Sequence, residues 1–380
     1  MCSSDLIVNI WRRGWVFPVI AVGLWGFIAI VVGTIVPAVV QRFTVQPNEL
    51  SREKPYIARN IEATRAAFGL SERDIRIEKF TYRAKLEAGA ARVEKPTLEN
   101  VRLYDPRPAQ DVFKVDEARS TAYEFADVDV DRYAVGAERA KPTLVAVREL
   151  DQANLPDTSW TSRHLVYTHG YGVVAAAADE VDGDRPSYVL QGIPPEGEIR
   201  LDQKYAPVYF GETLSGYVVV DTKVPEQEAS GTGEGRTTRY SGDAGIPVSS
   251  FLRRSALALR FGDWNLLVSG QITDRSRVIF GRSVRERVAA VAPFLRFDAD
   301  PYPVVHDGRV TWVIDAYTIS SDYPYSQSLR PNEPRGTGLD TEFNYVRNSV
   351  KVSIDAYDGT MRFYVVDPSD RKSTRLNSSH

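Results

Sequence analysis

The most regular set of potential metal ligands lies in the acidic segment DVDVDRYAVGAE. Asp127, Asp129, Asp131 and Glu138 take positions one, three, five and twelve of a calcium-binding loop, and their carboxylate oxygens suit this hard cation. Two features argue against a calcium loop. Position six is Arg132, where such loops have glycine, and the alternation of Asp with Val is equally typical of a half-buried strand. The segment therefore predicts either a calcium site or the solvent face of a strand or turn.

A second candidate site is an arginine-rich stretch between Phe251 and Arg296. Nine arginines stand there against three acids, in a chain that is acidic as a whole. Because guanidinium groups bind phosphate and carboxylate in a two-pronged way, we expect an anionic-ligand patch containing Arg282, Arg285 and Arg287. The alternative is that these arginines pair with acids elsewhere in the fold.

Two segments have the composition of enzyme sites but lack a complete catalytic pattern. His169 lies in WTSRHLVYTHGYGVV, which is similar to the glycine-rich oxyanion loops of hydrolases, yet the sequence contains no G-x-S-x-G nucleophile motif. Tyrosines accompany Asp298, Asp300, Asp315 and Asp322, as in carbohydrate sites, where a glycosidase needs two carboxylates across a cleft. The sequence therefore names no reaction.

Composition excludes several functional classes. The net charge of −3 and the isoelectric point near 6.0 argue against a nucleic-acid-binding domain. Cys2 is the only cysteine, so neither a disulfide framework nor a cysteine-rich zinc site is available. Any large domain in this chain must depend on its hydrophobic core.

The elements that must carry these residues begin with an apolar run near the start. Residues from Gly14 to Gln41 include no charged side chain, which predicts a transmembrane helix over 14–40. Arg12 and Arg13 precede the run directly, so residues 1–13 are expected in the cytoplasm and everything after about Gln41 outside it. A signal peptide is the competing interpretation, but no small-residue cleavage site follows.

The remainder predicts an α+β fold, rich in strands and arranged as two lobes. A helix is expected from Pro55 to Gly69, followed by short strands up to Phe210. We place one extracytoplasmic lobe at 41–225, a glycine-rich loop at 226–245 and a second lobe at 246–370. In the second lobe, VSSFLRRSALALRFG and SVRERVAAVAPFL have helical spacing, RVTWVIDAYTIS alternates like a strand, and Asp358-Gly359 predicts a hairpin turn.

Several long motifs resemble uncharacterised protein family 0182, a group of large actinobacterial-type integral membrane proteins. They are EKPYIARNIEATRAAFGL, WTSRHLVYTHGYGVVAA, FGDWNLLVSGQITDRSRVIFGRSVRERVAAVAPFLRFDADPYPVV, VIDAYTISSDYPYS and FNYVRNSVKVSIDAYDGTMRFYVVDPSD. The resemblance implies a parent about twice this length, usually with seven spanning helices before a large extracytoplasmic domain. It implies no activity and no catalytic residue. Residues 1–6 and 371–380 resemble translated sequencing adapters, so we expect the chain to be an internal fragment.

Two functional hypotheses follow. The first is a cell-membrane protein that serves as a binding or accessory component of the cell envelope, in contact with the lipid bilayer. Its expected partners are calcium, an anionic lipid or wall polymer, and another membrane protein, with no nucleic acid. The second is an extracytoplasmic enzyme that acts on envelope glycan or lipid.

Overall fold

The computed structural model describes residues 16–71, 73–76, 78–79, 97, 100–117, 122–135, 140–229, 236–324, 326–331, 333 and 336–366. The chain separates into two compact units, Met1–Glu87 and Ala88–His380. The fold is mixed, with a long helix near the start followed by a strand-rich region.

The first unit is a nearly continuous run of helical turns. Its segments are α1 (Val16–Ile30), wide turns of π type (Val31–Ile35), α2 (Val36–Val40), a second wide segment (Gln41–Val45), a 3-10 turn (Gln46–Asn48) and α3 (Glu49–Ala67). Both wide segments end shortly before a proline, Pro37 or Pro47, whose missing N–H removes a regular helical hydrogen bond. Among the described residues, Val16–Ala67 is the helix that is long and apolar enough to cross a membrane, by length and composition.

Two details of this helix differ from the prediction. No turn separates the apolar run from the following helix, because the backbone stays helical from Gln41 to Asn48. Pro55 lies inside α3 instead of in its first turn. The apolar pattern predicted the segment that can span, whereas Pro47 and Asn48 suggest a break in the helix that the structure does not show.

The second unit contains four helices and many short strands in its described part. The helices are α4 (Pro106–Glu117), α5 (Phe251–Phe261), α6 (Asn265–Val268) and α7 (Val284–Val291). The first ten strands are β1 (Tyr123–Glu124), β2 (Asp129–Tyr133), β3 (Lys141–Val147), β4 (Glu149–Leu150), β5 (Gly170–Tyr171), β6 (Val173–Asp182), β7 (Arg185–Gln191), β8 (Glu196–Gly197), β9 (Pro207–Val208) and β10 (Tyr217–Val220). The others are β11 (Glu226–Gln227), β12 (Thr237–Thr238), β13 (Ile246–Pro247), β14 (Arg277–Phe280), β15 (Arg296–Phe297), β16 (Tyr302–His306), β17 (Arg309–Ser320), β18 (Tyr345–Asp355) and β19 (Met361–Val365).

One antiparallel sheet has the order β2-β3-β6-β7-β8 and is covered on both faces. Side chains alternate along β3, so Leu144 and Ala146 pack with α4, whereas Val145 and Val147 face the main hydrophobic core. Because both faces of β3 are buried, its sequence PTLVAV is continuously apolar and does not alternate with polar residues.

A second sheet is formed by the final strands, in the order β15-β17-β18-β19 with β16 also on β17. Along β17 every second residue is buried, including Trp312 and Ile314, which confirms the predicted alternation. The predicted hairpin is also confirmed: β18 pairs with β19 through a turn that contains Gly359 at φ 68°.

A third sheet, β10-β14-β13, lies between the main core and the helices α5 and α6. Val218 and Val220 of β10 belong to the main core, whereas Tyr217 and Val219 pack with α5 and α6. The main core therefore contacts all three sheets, and it includes residues from both sides of segment 226–245. Two lobes are not confirmed, since one hydrophobic cluster runs through both.

Candidate metal centre

Three carboxylates from distant parts of the chain meet at one edge of the second unit. Oxygen atoms of Asp127, Glu212 and Asp300 lie within 4.8 Å of one another. Asp129 follows Asp127 by two residues, and the negative charges of Asp127, Asp300 and Asp131 contribute to its raised pKa. Oxygens that bind one calcium ion at about 2.4 Å are at most about 4.8 Å apart, so this spacing allows a shared cation.

Asp127 is held by the segment between β1 and β2. The side-chain amide of Gln110, on α4, donates to the carbonyl oxygens of Phe125 (2.8 Å) and Ala126 (2.6 Å). Phe125 and Val128 are buried in the cluster beneath α4, on either side of Asp127. The backbone around this carboxylate is therefore fixed by packing and by two hydrogen bonds.

Asp129 is the first residue of β2, and Asp131 is two residues further along the same strand. Both are half-buried, whereas Val130 and Arg132 between them are exposed. The acids thus occupy the inner face of a strand, not its solvent face and not a calcium loop. Asp131 lies about 7 Å along the strand from Asp129, at about 3.4 Å per residue, and Glu138 lies outside the described residues.

Glu212 is presented by a loop that a buried carboxylate organises. Glu149 is fully buried and accepts hydrogen bonds from the backbone N–H of Glu212 (2.6 Å) and from the N–H and hydroxyl of Thr213 (2.8 and 2.7 Å). Gly211 is required beside it, because a Cβ there would lie 2.6 Å from the Glu149 carboxylate. These contacts order the loop and leave the Glu212 side chain free to face the other acids.

Asp300 reaches the cluster from the start of β16. Its backbone N–H donates to the Asp298 carboxylate (3.1 Å), which also accepts from the Tyr317 hydroxyl (2.6 Å). The N–H of Val305, near the end of β16, donates to the Tyr133 hydroxyl at the end of β2. The starts of the two strands, which carry Asp300 and Asp129, are thereby placed close together. Asp300 is exposed, so the cluster opens to solvent on its side.

The electrostatics of the cluster are unfavourable for carboxylates without a cation. Burial, a hydrogen bond with Asp300 and nearby negative charge raise the pKa of Asp127 to about 7. Burial and the charges of neighbouring acids raise the pKa of Asp129 and that of Glu212 to about 8 each. Among the described residues, Asp129 Oδ2 and Glu212 Oε2 are shielded from solvent and have no hydrogen-bond partner. Such oxygens are suited to a metal ion, because a divalent cation both neutralises and coordinates them.

Sequence reasoning identified part of this cluster and missed the rest. Asp127 and Asp129 were predicted ligands, and Asp300 was noted only for carbohydrate chemistry. Glu212 gave no signal, since it is a single acid in the segment FGET. The glycine before it, at the end of the buried strand segment APVYFG, is the feature that marks a close approach of the backbone to another group.

The three arginines of the predicted anionic patch lie in different environments. Arg282 is 1% exposed and donates to the backbone carbonyl oxygens of Tyr209 (2.9 Å) and Thr168 (2.7 Å). Burial lowers its pKa to about 10. Arg282 therefore supports the segment that leads to Glu212, and it is not accessible to a ligand.

Arg285 is exposed, whereas Arg287 is half-buried and lines a separate cavity of about 470 Å³. The Arg287 guanidinium lies 4.7 Å from the centre of the Phe210 ring and donates to the Gly359 carbonyl oxygen. Lys204 and Arg309 line the same cavity. The predicted trio is thus divided, and the cations that share a cavity with Arg287 come from other segments.

The histidine of the segment similar to hydrolase oxyanion loops is part of the interior. His169 is 1% exposed, and its two ring nitrogens lie 2.8 Å from the Gly170 carbonyl oxygen and 2.9 Å from the Thr238 hydroxyl. Burial lowers its pKa. A substrate would have to displace these contacts, so the geometry favours a structural role.

Comparisons with known proteins give one consistent result. A family model described as "Uncharacterised protein family (UPF0182)" matches residues 1–372. A UPF0182 protein of Frankia casuarinae is 41% identical over 392 residues, which cover 97% of this chain and 38% of the relative. A UPF0182 protein of Desulforamulus reducens is 39% identical over 370 residues (96% and 38%), and one of Cupriavidus necator is 42% identical over 345 residues (90% and 37%).

The chain spans less than two fifths of the length of these curated relatives. The family match includes residues 1–6, so the interpretation of that segment as adapter sequence is not supported, and neither is the inference of a fragment that rested on it. No solved structure matches the chain significantly.

Proposed function

The chain belongs to uncharacterised protein family UPF0182, and we propose a function from its candidate metal site. We propose that the protein is a membrane-anchored component of the cell envelope that binds calcium. The anchor is the apolar start of the helix, Val16–Val40, and the strand-rich region lies outside the cytoplasm. The positive charges of Arg12 and Arg13 before the apolar run support this orientation.

The observation that carries the calcium proposal is the convergence of Asp127, Glu212 and Asp300, whose oxygens lie within 4.8 Å of one another. Two shielded carboxylate oxygens, Asp129 Oδ2 and Glu212 Oε2, have no hydrogen-bond partner among the described residues. Three carboxylates supply up to six oxygen atoms, and calcium takes six to eight, which water can complete. Calcium is favoured over magnesium because magnesium demands near-ideal octahedral geometry and keeps several waters. The proposed role is binding, because the meeting of carboxylate oxygens is suited to holding a cation.

The test is thermal unfolding of the full chain in lipid nanodiscs, with calcium or magnesium added to chelator-treated protein. Calcium at about 100 times its Kd should stabilise the fold by about 2.7 kcal/mol, and magnesium should do less. Asp127→Asn and Asp300→Asn should abolish the shift. Asp131→Asn is the matched control: Asp131 lies on β2 but is not one of the three acids whose oxygens lie within 4.8 Å of one another, so its loss should reduce the calcium shift much less. Equal loss in all three variants, or no calcium shift in the unmodified chain, would contradict the proposal.

A second binding function is favoured by the cavity that contains Arg287. Lys204, Arg287 and Arg309 line it together with Tyr205 and Tyr357. Arg309 is already paired with two aspartates, but Lys204 and Arg287 form no ion pair within the described residues. We propose that this cavity takes an anionic group of a wall polymer, since its cations Lys204 and Arg287 are suited to a phosphate or carboxylate.

Binding of the full chain in nanodiscs to purified anionic wall polymer tests this second function. Arg287→Gln should weaken binding about fivefold to tenfold, as expected for the loss of one charged hydrogen-bonding group. Arg285→Gln is the matched control, because it removes an exposed arginine of the same helix that does not line the cavity. Equal binding by the two variants would rule out the cavity.

A further inference from the structure

Helix α5 has an apolar face on its outer side as well as on its inner side. Phe251, Leu252 and Leu259 are 74%, 79% and 70% exposed. Since successive residues are rotated by about 100° around the helix axis, these three side chains lie within about 100° of one another around the helix. The buried residue Leu257 lies on the opposite side of the helix, and Leu257 and Ala258 pack against the third sheet. The three exposed side chains therefore form a largely apolar outer face, with Ser255 as its polar member.

The short helix α6 lies beside α5 and adds exposed apolar side chains. Trp264, directly before α6, is 65% exposed, and Val268 at its end is 77% exposed. Arg254 fixes the two helices together by donating to the carbonyl oxygens of Leu266 (3.1 Å) and Leu267 (3.3 Å). We name the five exposed side chains the α5–α6 surface: Phe251, Leu252, Leu259, Trp264 and Val268.

Positive charge flanks the α5–α6 surface. Arg253 and Arg260 are exposed, and Arg260 lies 4.9 Å from the Phe280 ring centre. The nearby acid, Asp263, accepts hydrogen bonds from the Trp160 indole N–H (2.8 Å) and the Tyr217 hydroxyl (2.5 Å). These bonds direct its carboxylate toward the protein interior. The rim of the surface is thus positive.

We propose that the α5–α6 surface docks onto an anionic lipid bilayer. Exposed apolar patches of this kind mark interaction sites, and Trp, Phe and Leu beside arginines are the side chains that interfacial helices insert at the headgroup level. The positive rim complements anionic lipid headgroups. The same chain carries the apolar segment Val16–Val40, which the proposed function places in a bilayer. The inference rests on the membrane anchoring proposed above.

The test uses the full chain in vesicles that contain phosphatidylglycerol, with a fluorescent label at a single cysteine. In a Cys2→Ser background, Val268→Cys places the label on the α5–α6 surface. Val181→Cys is the matched control, because Val181 is also an exposed valine (50%) of the second unit but lies on β6. The Val268 label should be quenched by lipid-borne quenchers and protected from aqueous iodide, and the Val181 label should show the reverse.

The role of charge is tested by Arg253→Gln, which should lower the docked-to-undocked ratio about fivefold. Quenching of both labels by iodide alone would overturn the proposal. Protection of the Val268 label without lipid quenching would also overturn it, since a protein would then cover the surface. Flotation of the chain with the vesicles reports separately on anchoring, so failure of docking and failure of the anchor give different results.

Discussion

Calcium binding to the acidic cluster should release protons. At pH 7 a carboxyl with a pKa of about 7 is half protonated, and carboxyls with pKa values of about 8 are mostly protonated. Asp127, Asp129 and Glu212 therefore hold about two protons together in the absence of a cation. Calcium binds the deprotonated oxygens, so each bound ion should displace about two protons at this pH.

The proton count is measured by titration calorimetry of the full chain in nanodiscs, in two buffers of different ionisation enthalpy. The difference between the observed heats, divided by the difference between the buffer enthalpies, gives the number of protons released. Because two to three protons must leave below pH 7, the apparent Kd should rise there by about 100-fold to 1,000-fold per pH unit, and it should level off above about pH 9. Calcium binding without proton release, or with the same affinity at pH 6 and pH 8, would refute the electrostatic argument.

The same groups make stability without calcium depend on pH. Their pKa values are higher in the folded chain than in the unfolded chain, where Asp and Glu titrate near 4. Between about pH 4 and pH 8 the folded state binds more protons, so the free energy of unfolding falls as pH rises through this window. Chelator-treated chain should melt at a lower temperature at pH 8.5 than at pH 5.5, and calcium should recover most of the difference at pH 8.5.

Two further predictions concern the framework of the site and of the core, each measured by denaturant unfolding of the full chain. Gly211→Ala should destabilise by about 1–3 kcal/mol, because the new Cβ would lie 2.6 Å from the Glu149 carboxylate, whereas Gly270→Ala, with no atom within 4 Å, should have little effect. Arg148→Met should cost about 3–5 kcal/mol, because it leaves the buried carboxylate of Glu117 without its ion-pair partner at 2.8 Å. Adding Glu117→Gln to Arg148→Met should restore part of the loss, and equal stability of the single and double variants would contradict this explanation.

The sequence predicted the elements whose residues follow one clear period. The strand Arg309–Ser320 alternates strictly because one face packs on the core, and the helices Phe251–Phe261 and Val284–Val291 have apolar residues at helical spacing. The hairpin turn at Gly359 was also identifiable, since glycine adopts its positive φ without strain. Local physical chemistry is sufficient for such elements.

The arrangement of the elements was less predictable. The glycine-rich segment 226–245 looked like a boundary between lobes, yet β10, before it, pairs with β14, after it, in one sheet. Long-range strand pairing leaves no signature in a single sequence, so the continuous core was not foreseen. The same limit applies to the site: the spacing of Asp127 and Asp129 was visible, but their convergence with Glu212 and Asp300 depends on tertiary packing.

The wide separation of the cluster residues along the chain has a topological consequence. Asp127 and Glu212 are about 85 residues apart and Glu212 and Asp300 about 88, so a cation bound by all three would close two large loops, as a cross-link does. Closure of loops this long removes much of the freedom of the unfolded chain, which is how disulfides are thought to stabilise many extracellular proteins. In a chain with a single cysteine, a calcium ion at this position would act as a reversible cross-link, which acid or a chelator would remove.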